Sequence, residues 1–144
     1  MIRKFGSIAI AVLLLGGTAQ AQGVDPIKVR QAGLDLLAGT FSGINLAVAG
    51  GQDIKKLEPS GNAIKKWGGL MPSLFPAGSD KGETKASPDI WTDQAGFEKA
   101  ALALSAGGEA IAAAAKAGDA AALATAIKAT GDACGACHKA YRLK

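Results

Sequence analysis

The sequence predicts an all-α fold, an antiparallel four-helix bundle, and three observations carry the prediction. Apolar residues recur at three- to four-residue spacing in four stretches, the period of an amphipathic helix. Residues suited to capping, with glycine or proline, bound those stretches. No stretch alternates with the two-residue period of a half-buried strand, and no internal repeat appears. A chain of 144 residues, 49% of them hydrophobic, is long enough for one cored domain. Links that are short in places favour antiparallel neighbours.

Asp25-Pro26 opens the first helix, with Asp at the N-cap and Pro at the first helical position. Val29, Leu34, Leu37, Phe41, Ile44 and Val48 follow at helical spacing, and Gly50-Gly51 ends the run. Arg30, Leu34, Leu37 and Phe41 share one stripe; periodicity alone makes Leu34 a core leucine. Pro59 interrupts the segment after Asp53, so a short turn is expected before a main second helix from about Asn62 to Leu70. Ile64, Trp67 and Leu70 should face inward there, and Lys65-Lys66 outward. Pro72 and Pro76 stop it, and a loop runs from Met71 to Pro88. Loops of this length in compact domains are usually functional or disordered.

Thr92 or Asp93 caps the third helix, whose stripe is Phe97, Ala101, Leu104, Ile111 and Ala115. Gly107-Gly108 inside it costs on the order of 1 kcal/mol per residue relative to alanine. Such glycines point to close approach of a neighbouring helix or of a bound group. Glu109 and Lys116 break the Ala-rich run, so it does not read as a membrane span. Gly118 is a C′ stop and Asp119 the next N-cap. The fourth helix carries Leu123, Ile127, Cys134, Cys137, His138 and Tyr141. Trp67 and Trp91 are expected to pack in the core rather than conduct electrons.

The chemistry sits in Cys134-Gly135-Ala136-Cys137-His138. C-x-x-C-H is the attachment signature of c-type haem. Each thiol adds across one porphyrin vinyl group, and the following residue supplies an imidazole nitrogen to iron. On a helix the three side chains fall at i, i+3 and i+4, one face. A redox dithiol, a zinc site and a structural disulfide are the rival readings. The first normally accompanies a βαβ pattern, and the second wants four ligands where the chain has two Cys and one His. Aromatics are only 5% of residues and Ala and Gly dominate, so a large flat cofactor would fill volume the small side chains leave open.

The first residues read as a secretory signal peptide. Arg3 and Lys4 form the positive region, Ile8 to Leu15 the apolar region, and Ala19-Gln20-Ala21 the cleavage site. The apolar run is shorter than the roughly 20 residues that span a bilayer. Residues 1–21 are therefore expected to be removed, leaving residues 22–144 as one soluble helical domain; an uncleaved anchor is the rival reading. Export agrees with attachment of haem c outside the cytoplasm and implies a periplasmic location. Losing Arg3 and Lys4 takes two charges from the formal excess of +4. The remaining field is too weak to argue nucleic-acid binding.

Several stretches together resemble the cytochrome c′ family, the class II c-type cytochromes. Arg30-Gln31-Ala32-Gly33-Leu34 resembles its first-helix motif. Leu74-Phe75-Pro76-Ala77-Gly78-Ser79 and Ser87-Pro88-Asp89-Ile90-Trp91 resemble its long loop. Ala117-Gly118-Asp119 resembles its third turn, and the stretch from Cys134 to Arg142 its C-terminal haem motif. The resemblance covers nearly the whole chain after the leader. It implies one covalent haem c inside the bundle, edge-exposed, with His138 as axial iron ligand and Leu34 on the distal face. Low-spin relatives carry a ligating methionine at the Leu34 place.

The resemblance further implies that Arg30 and Gln31 contact the haem propionates, against the bland reading of a solvated pair. Thr84 is a loop candidate for a propionate hydrogen bond, or a plain loop residue. Arg142 is implied near the proximal imidazole, where it would disfavour imidazolate character, or is an exposed tail charge. Pairing of two copies through the first two helices is also implied. His138 is the single histidine, so bis-His ligation within one chain is impossible, and Met71 is the single methionine outside the leader. Five-coordinate iron is expected, with Met71, lysine or water as alternative sixth ligands.

Three functions compete. The first is one-electron transfer to periplasmic redox partner proteins. The second is binding of small diatomic gases such as NO and CO, extending to a dedicated nitric-oxide buffer. The third, peroxidase chemistry, needs a distal acid–base group that a leucine cannot supply. No enzyme activity is therefore expected.

Overall fold

The computed structural model describes residues 24–144, so the expected leader over residues 1–21 lies outside the described residues. Helices α1 (Pro26–Ala49), α2 (Glu58–Leu70), α4 (Gln94–Ala117) and α5 (Ala120–Tyr141) form a four-helix bundle. A one-turn helix, α3 (Asp89–Thr92), precedes α4, and 3₁₀ turns cover Ile54–Leu57 and Met71–Leu74. Among the described residues there is no strand, only an isolated antiparallel bridge between Ala86 and Arg142.

The helix starts follow the expected capping chemistry. Asp25 Oδ1 accepts from the Ile27 amide at 2.9 Å, Asp93 Oδ1 from Gly96 at 3.1 Å and Asp119 Oδ1 from Ala122 at 2.9 Å. Asp93, rather than Thr92, caps α4 because α3 absorbs Thr92. Gly118 ends α4 at φ 74°, the left-handed conformation that favours glycine.

The second helix departs from expectation. It begins at Glu58, not near Asn62, because Pro59 lies in its first turn, where an amide hydrogen has no intrahelical partner to lose. Ile64 is fully buried and Trp67 half-buried, but Leu70 is 57% exposed. The chain passes from α2 directly into the 3₁₀ turn, and Met71, 6% exposed, takes the inward place instead. Lys66 is exposed and the Lys65 side chain also reaches the surface, where its Nζ meets Glu109 Oε1 at 2.6 Å, tying α2 to α4. Trp91 packs on Phe75 and its Nε1 donates to the Phe75 carbonyl at 3.1 Å.

The stripe of α4 (Phe97, Ala101, Leu104, Ile111, Ala115) is buried throughout, so α4 is the helix against which α2 and α5 pack. Gly107 and Gly108 both answer to neighbouring helices. A Cβ at Gly107 would strike Thr130 Oγ1 on α5, and one at Gly108 would strike the Lys65 amide nitrogen on α2. Helix α1 is different. It meets chiefly α2 and the Met71–Leu74 turn. By length and composition it is apolar enough to cross a membrane, yet it buries Arg30, Gly33, Ile44 and Ala47 in the bundle. Its outer face leaves Leu36 and Leu46 more than 70% exposed.

Candidate functional site

Cys134, Cys137 and His138 lie in the last two turns of α5, at the spacing that puts them on one face. Both thiols are free and half-buried, and His138 is exposed. Burial pushes both thiols above their ordinary range; the neighbouring Cys134 adds to the effect at Cys137. A nucleophilic or redox-active cysteine needs the opposite shift. Among the described residues, no group of three or more His, Cys, Asp or Glu is arranged to hold a metal ion. With both thiols on one helix and no further ligand grouped with them among the described residues, a four-ligand zinc site is not formed.

Desolvation lowers the His138 pKa, and the Arg142 charge lowers it further, so the imidazole is neutral near pH 7. This corrects the sign expected of Arg142. A cation beside an imidazole favours its less protonated forms, imidazolate included, rather than disfavouring them. Arg142 is the C-cap of α5, its amide donating to the His138 carbonyl at 3.2 Å, and it is exposed.

Arg30 is only 2% exposed, which removes the reading of a solvated surface pair. Its Nη1 donates to Ser79 Oγ at 2.8 Å, and its Nη2 donates to the Ser79 carbonyl at 2.7 Å and to Thr84 Oγ1 at 2.9 Å. The guanidinium carbon lies 4.6 Å from the Phe75 ring centroid and 6.0 Å from that of Trp91. Burial pulls the Arg30 pKa down and Asp25 partly offsets this, but no carboxylate pairs with it within 4.0 Å among the described residues. Gln31 is exposed and its Nε2 donates to the Glu83 carbonyl at 2.9 Å. Arg30, Gln31 and Thr84, distant in sequence, thus meet at one corner. Leu34, Leu37 and Phe41 continue from it along α1, half-buried against the core. A Cβ at Gly131 of α5 would lie 3.7 Å from Phe41, so this stripe leads toward the helix that carries the cysteines.

These features fit a haem. Two protonated, half-buried thiols and a neutral imidazole supply its attachment and axial chemistry. A buried guanidinium without a carboxylate calls for an anion such as a propionate. The half-buried apolar stripe of α1 suits a macrocycle face.

The sequence reading missed Ser79, which holds Arg30, and Phe75, on which Arg30 stacks. It also missed the Asp93 link to Tyr141. Tyr141 donates its hydroxyl hydrogen to Asp93 Oδ2 at 2.7 Å, docking the end of α5 on the N-cap of α4. Phe97 joins the contact edge-on, 5.4 Å from the Tyr141 ring. The hydrogen bond to Asp93, then desolvation, pushes the Tyr141 pKa up to about 12. The unfolded phenol titrates near ~10. The folded state therefore holds this proton more tightly. Its contribution to stability is complete below about pH 10 and is lost as pH rises through about 12. Tyr141 is the single tyrosine. Its difference absorbance near ~295 nm should show a midpoint at about 12, moving toward ~10 in Asp93→Asn, which keeps a capping oxygen but not the charge. Equal midpoints in the two proteins would refute the link.

Comparison with known proteins agrees with this fold. The family model described as Cytochrome C' matches residues 25–142. The chain is similar to cytochrome c' of Rubrivivax gelatinosus, 35% identical over 124 residues covering 83% of this chain and 95% of the relative. Among solved structures it is similar to cytochrome c' from Thermochromatium tepidum, with TM-score 0.76, 30% identity and coverage of 83% and 95%. It is also similar to the nitric oxide complex of a leucine-to-alanine variant of cytochrome c prime from Alcaligenes xylosoxidans. There the TM-score is 0.75, with 33% identity and coverage of 83% and 94%.

Proposed function

The chain belongs to the cytochrome c′ family and carries covalent haem c, and from that premise we propose an exported, five-coordinate haem protein that transfers single electrons and binds NO or CO. When bound, the haem supplies a one-electron ferrous–ferric couple and an iron that takes a diatomic ligand. Cys134 and Cys137 would hold it through their sulfurs, and His138 would offer a neutral imidazole nitrogen to its iron. Arg30, with Thr84 and Gln31 beside it, neutralises propionate charge. Burial, with the Arg142 charge adding to it, favours the neutral form of His138.

The observation that carries the reading is the chemistry of the α1 stripe. Leu34, Leu37 and Phe41 lie half-buried against the core, and none can ligate iron. Leu34 in particular is apolar and bulky, so it excludes water, gives no hydrogen bond to an anion and leaves room only for small neutral ligands. Met71 is buried in the core, where its thioether serves packing. Leu34 itself offers no acid–base group for peroxide chemistry, and catalytic turnover is not part of the proposal. The second reading, a nitric-oxide buffer with little carrier role, draws support from the nitric oxide complex of the Alcaligenes relative. Residues 1–21 are proposed as the cleaved leader, 22–144 as the periplasmic domain, with redox proteins as partners. The exposed apolar side chains Leu36 and Leu46 on α1 support pairing of two copies.

One spectrum tests the reading. The ferrous protein should show a high-spin Soret band that shifts on adding carbon monoxide. A low-spin His/Met spectrum unaffected by the gas would overturn it. Leu34→Ala should raise carbon monoxide affinity by roughly tenfold, the equivalent of about 1.4 kcal/mol.

A further inference from the structure

His138 lies one turn from the end of α5. Helix ends fray, and terminal segments stay ordered only where something ties them down. Helix α4 closes on the left-handed Gly118, whereas α5 ends at an extended Arg142 with no glycine to close it. Within the turn, the Arg142 amide reaches the His138 carbonyl at 3.2 Å, and the His138 ring is exposed. The order of this turn must come from tertiary contacts.

Those contacts converge on Tyr141. Its hydroxyl donates to Asp93 Oδ2 at 2.7 Å. Its carbonyl, one of those a helix end leaves without an intrahelical partner, accepts from the Ser87 amide at 3.0 Å. The following residues extend the pairing: Arg142 bridges to Ala86, and the Leu143 amide donates to the Lys85 carbonyl at 2.8 Å. The Tyr141 ring meets the buried Phe97 edge-on, and Phe97 meets Phe75, the ring beside Arg30, at 4.9 Å. The end of α5 and the Arg30 corner are thus fixed to one aromatic wall. The hydroxyl has room because Gly96 has no side chain. A Cβ there would strike both the Tyr141 hydroxyl and Asp93 Oδ2.

We propose that Asp93, Gly96 and the Ser87 amide form a socket for Tyr141, and that this socket fixes the turn carrying His138 and so the seat of its imidazole on iron. Asp93 and Gly96 are positioning residues, acting through Tyr141. The inference rests on His138 as axial ligand, proposed above. A ligating side chain must be held to within roughly half an ångström, and its support comes from neighbouring packing and hydrogen bonds. Here that support sits on α3, α4 and the loop before them, far in sequence from the cysteines.

The test uses the holoprotein and two variants that alter no charge and leave Cys134, Cys137 and His138 in place. Tyr141→Phe keeps the ring on Phe97 and removes the hydroxyl. Gly96→Ala keeps the hydroxyl and fills its seat, while gaining helix propensity in α4. Two quantities are read: fragment-resolved amide hydrogen exchange over the last turn of α5, and the iron–imidazole stretching band of the ferrous protein by resonance Raman. In both variants exchange should quicken by roughly tenfold or more, the scale of a lost hydrogen bond to a charged group. The band should shift or broaden in both. Faster exchange with an unchanged band would make the socket merely structural and overturn the proposal. Unchanged exchange, with or without a shifted band, would overturn it as well. A parent protein without any iron–imidazole band would instead refute His138 as the ligand, and the role of the socket with it.

Discussion

Replacing Cys134 and Cys137 together by alanine is expected to abolish covalent haem attachment. The purified polypeptide should lose the mass increment of the porphyrin, and acidified acetone should extract all colour. Single substitutions should leave one thioether and a shifted pyridine haemochrome band. The expectation follows from the state of the thiols. Both are half-buried near the end of α5, one turn apart and beside His138, and burial raises the pKa of each. The double variant should also lose stability, because the half-buried α1 stripe of Leu34, Leu37 and Phe41 would have no macrocycle to cover it. Retention of the full mass increment would defeat the assignment of these cysteines.

Much of this fold was legible because helix boundaries are local chemistry. Asp25, Asp93 and Asp119 each cap the helix that follows them, and Gly118 closes α4, as short-range reasoning requires. The boundary of α2 was misread because proline has two meanings. In a helix interior it breaks the ladder, whereas in the first turn it is favoured, and only the position of Glu58 decides which applies. Leu70 was misplaced for a related reason: the period changes where α2 tightens into a 3₁₀ turn, and Met71 inherits the buried place.

The site divides along the same line. Cys134, Cys137 and His138 are legible because three residues on one turn carry a complete chemical instruction. The Arg30 corner is not local. Its partners Ser79 and Thr84 lie 49 and 54 residues away, and nothing in a loop rich in Ser, Gly and Pro marks which hydroxyl will meet a guanidinium. The resemblance singled out Arg30 and Thr84 separately; only packing joins them. Phe75 and Trp91 matter to Arg30 through their π faces, which no spacing rule reports. The Arg142 expectation was wrong in sign rather than in place, since the charge of a guanidinium acts on an imidazole in one direction whatever the family.

Gly108→Ala should destabilise the holoprotein by on the order of 3 kcal/mol, while the same exchange at Gly43 should stabilise it by up to ~1 kcal/mol. Both glycines lie inside helices, so both gain alike in backbone entropy. They differ in what the new methyl meets. At Gly43 nothing lies within 4 Å. At Gly108 the methyl would strike the Lys65 amide nitrogen, and the Gly61 carbonyl would lie 2.8 Å away. These are backbone atoms, which no rotamer change can move aside. Gly61 and Gly68 on α2 face the α4 backbone equally closely, at Ala112 and Ser105. Relief at Gly108 would therefore require α2 to separate from α4 along much of its length. That separation would strain the Lys65–Glu109 pair and the hydrogen bond from Ser105 Oγ to the Lys65 carbonyl at 3.0 Å. Guanidinium unfolding followed by far-UV circular dichroism measures both variants. Equal stabilities would mean that the helix pair yields freely, and the glycines of this crossing would then lose their role in setting how near α2 comes to α4.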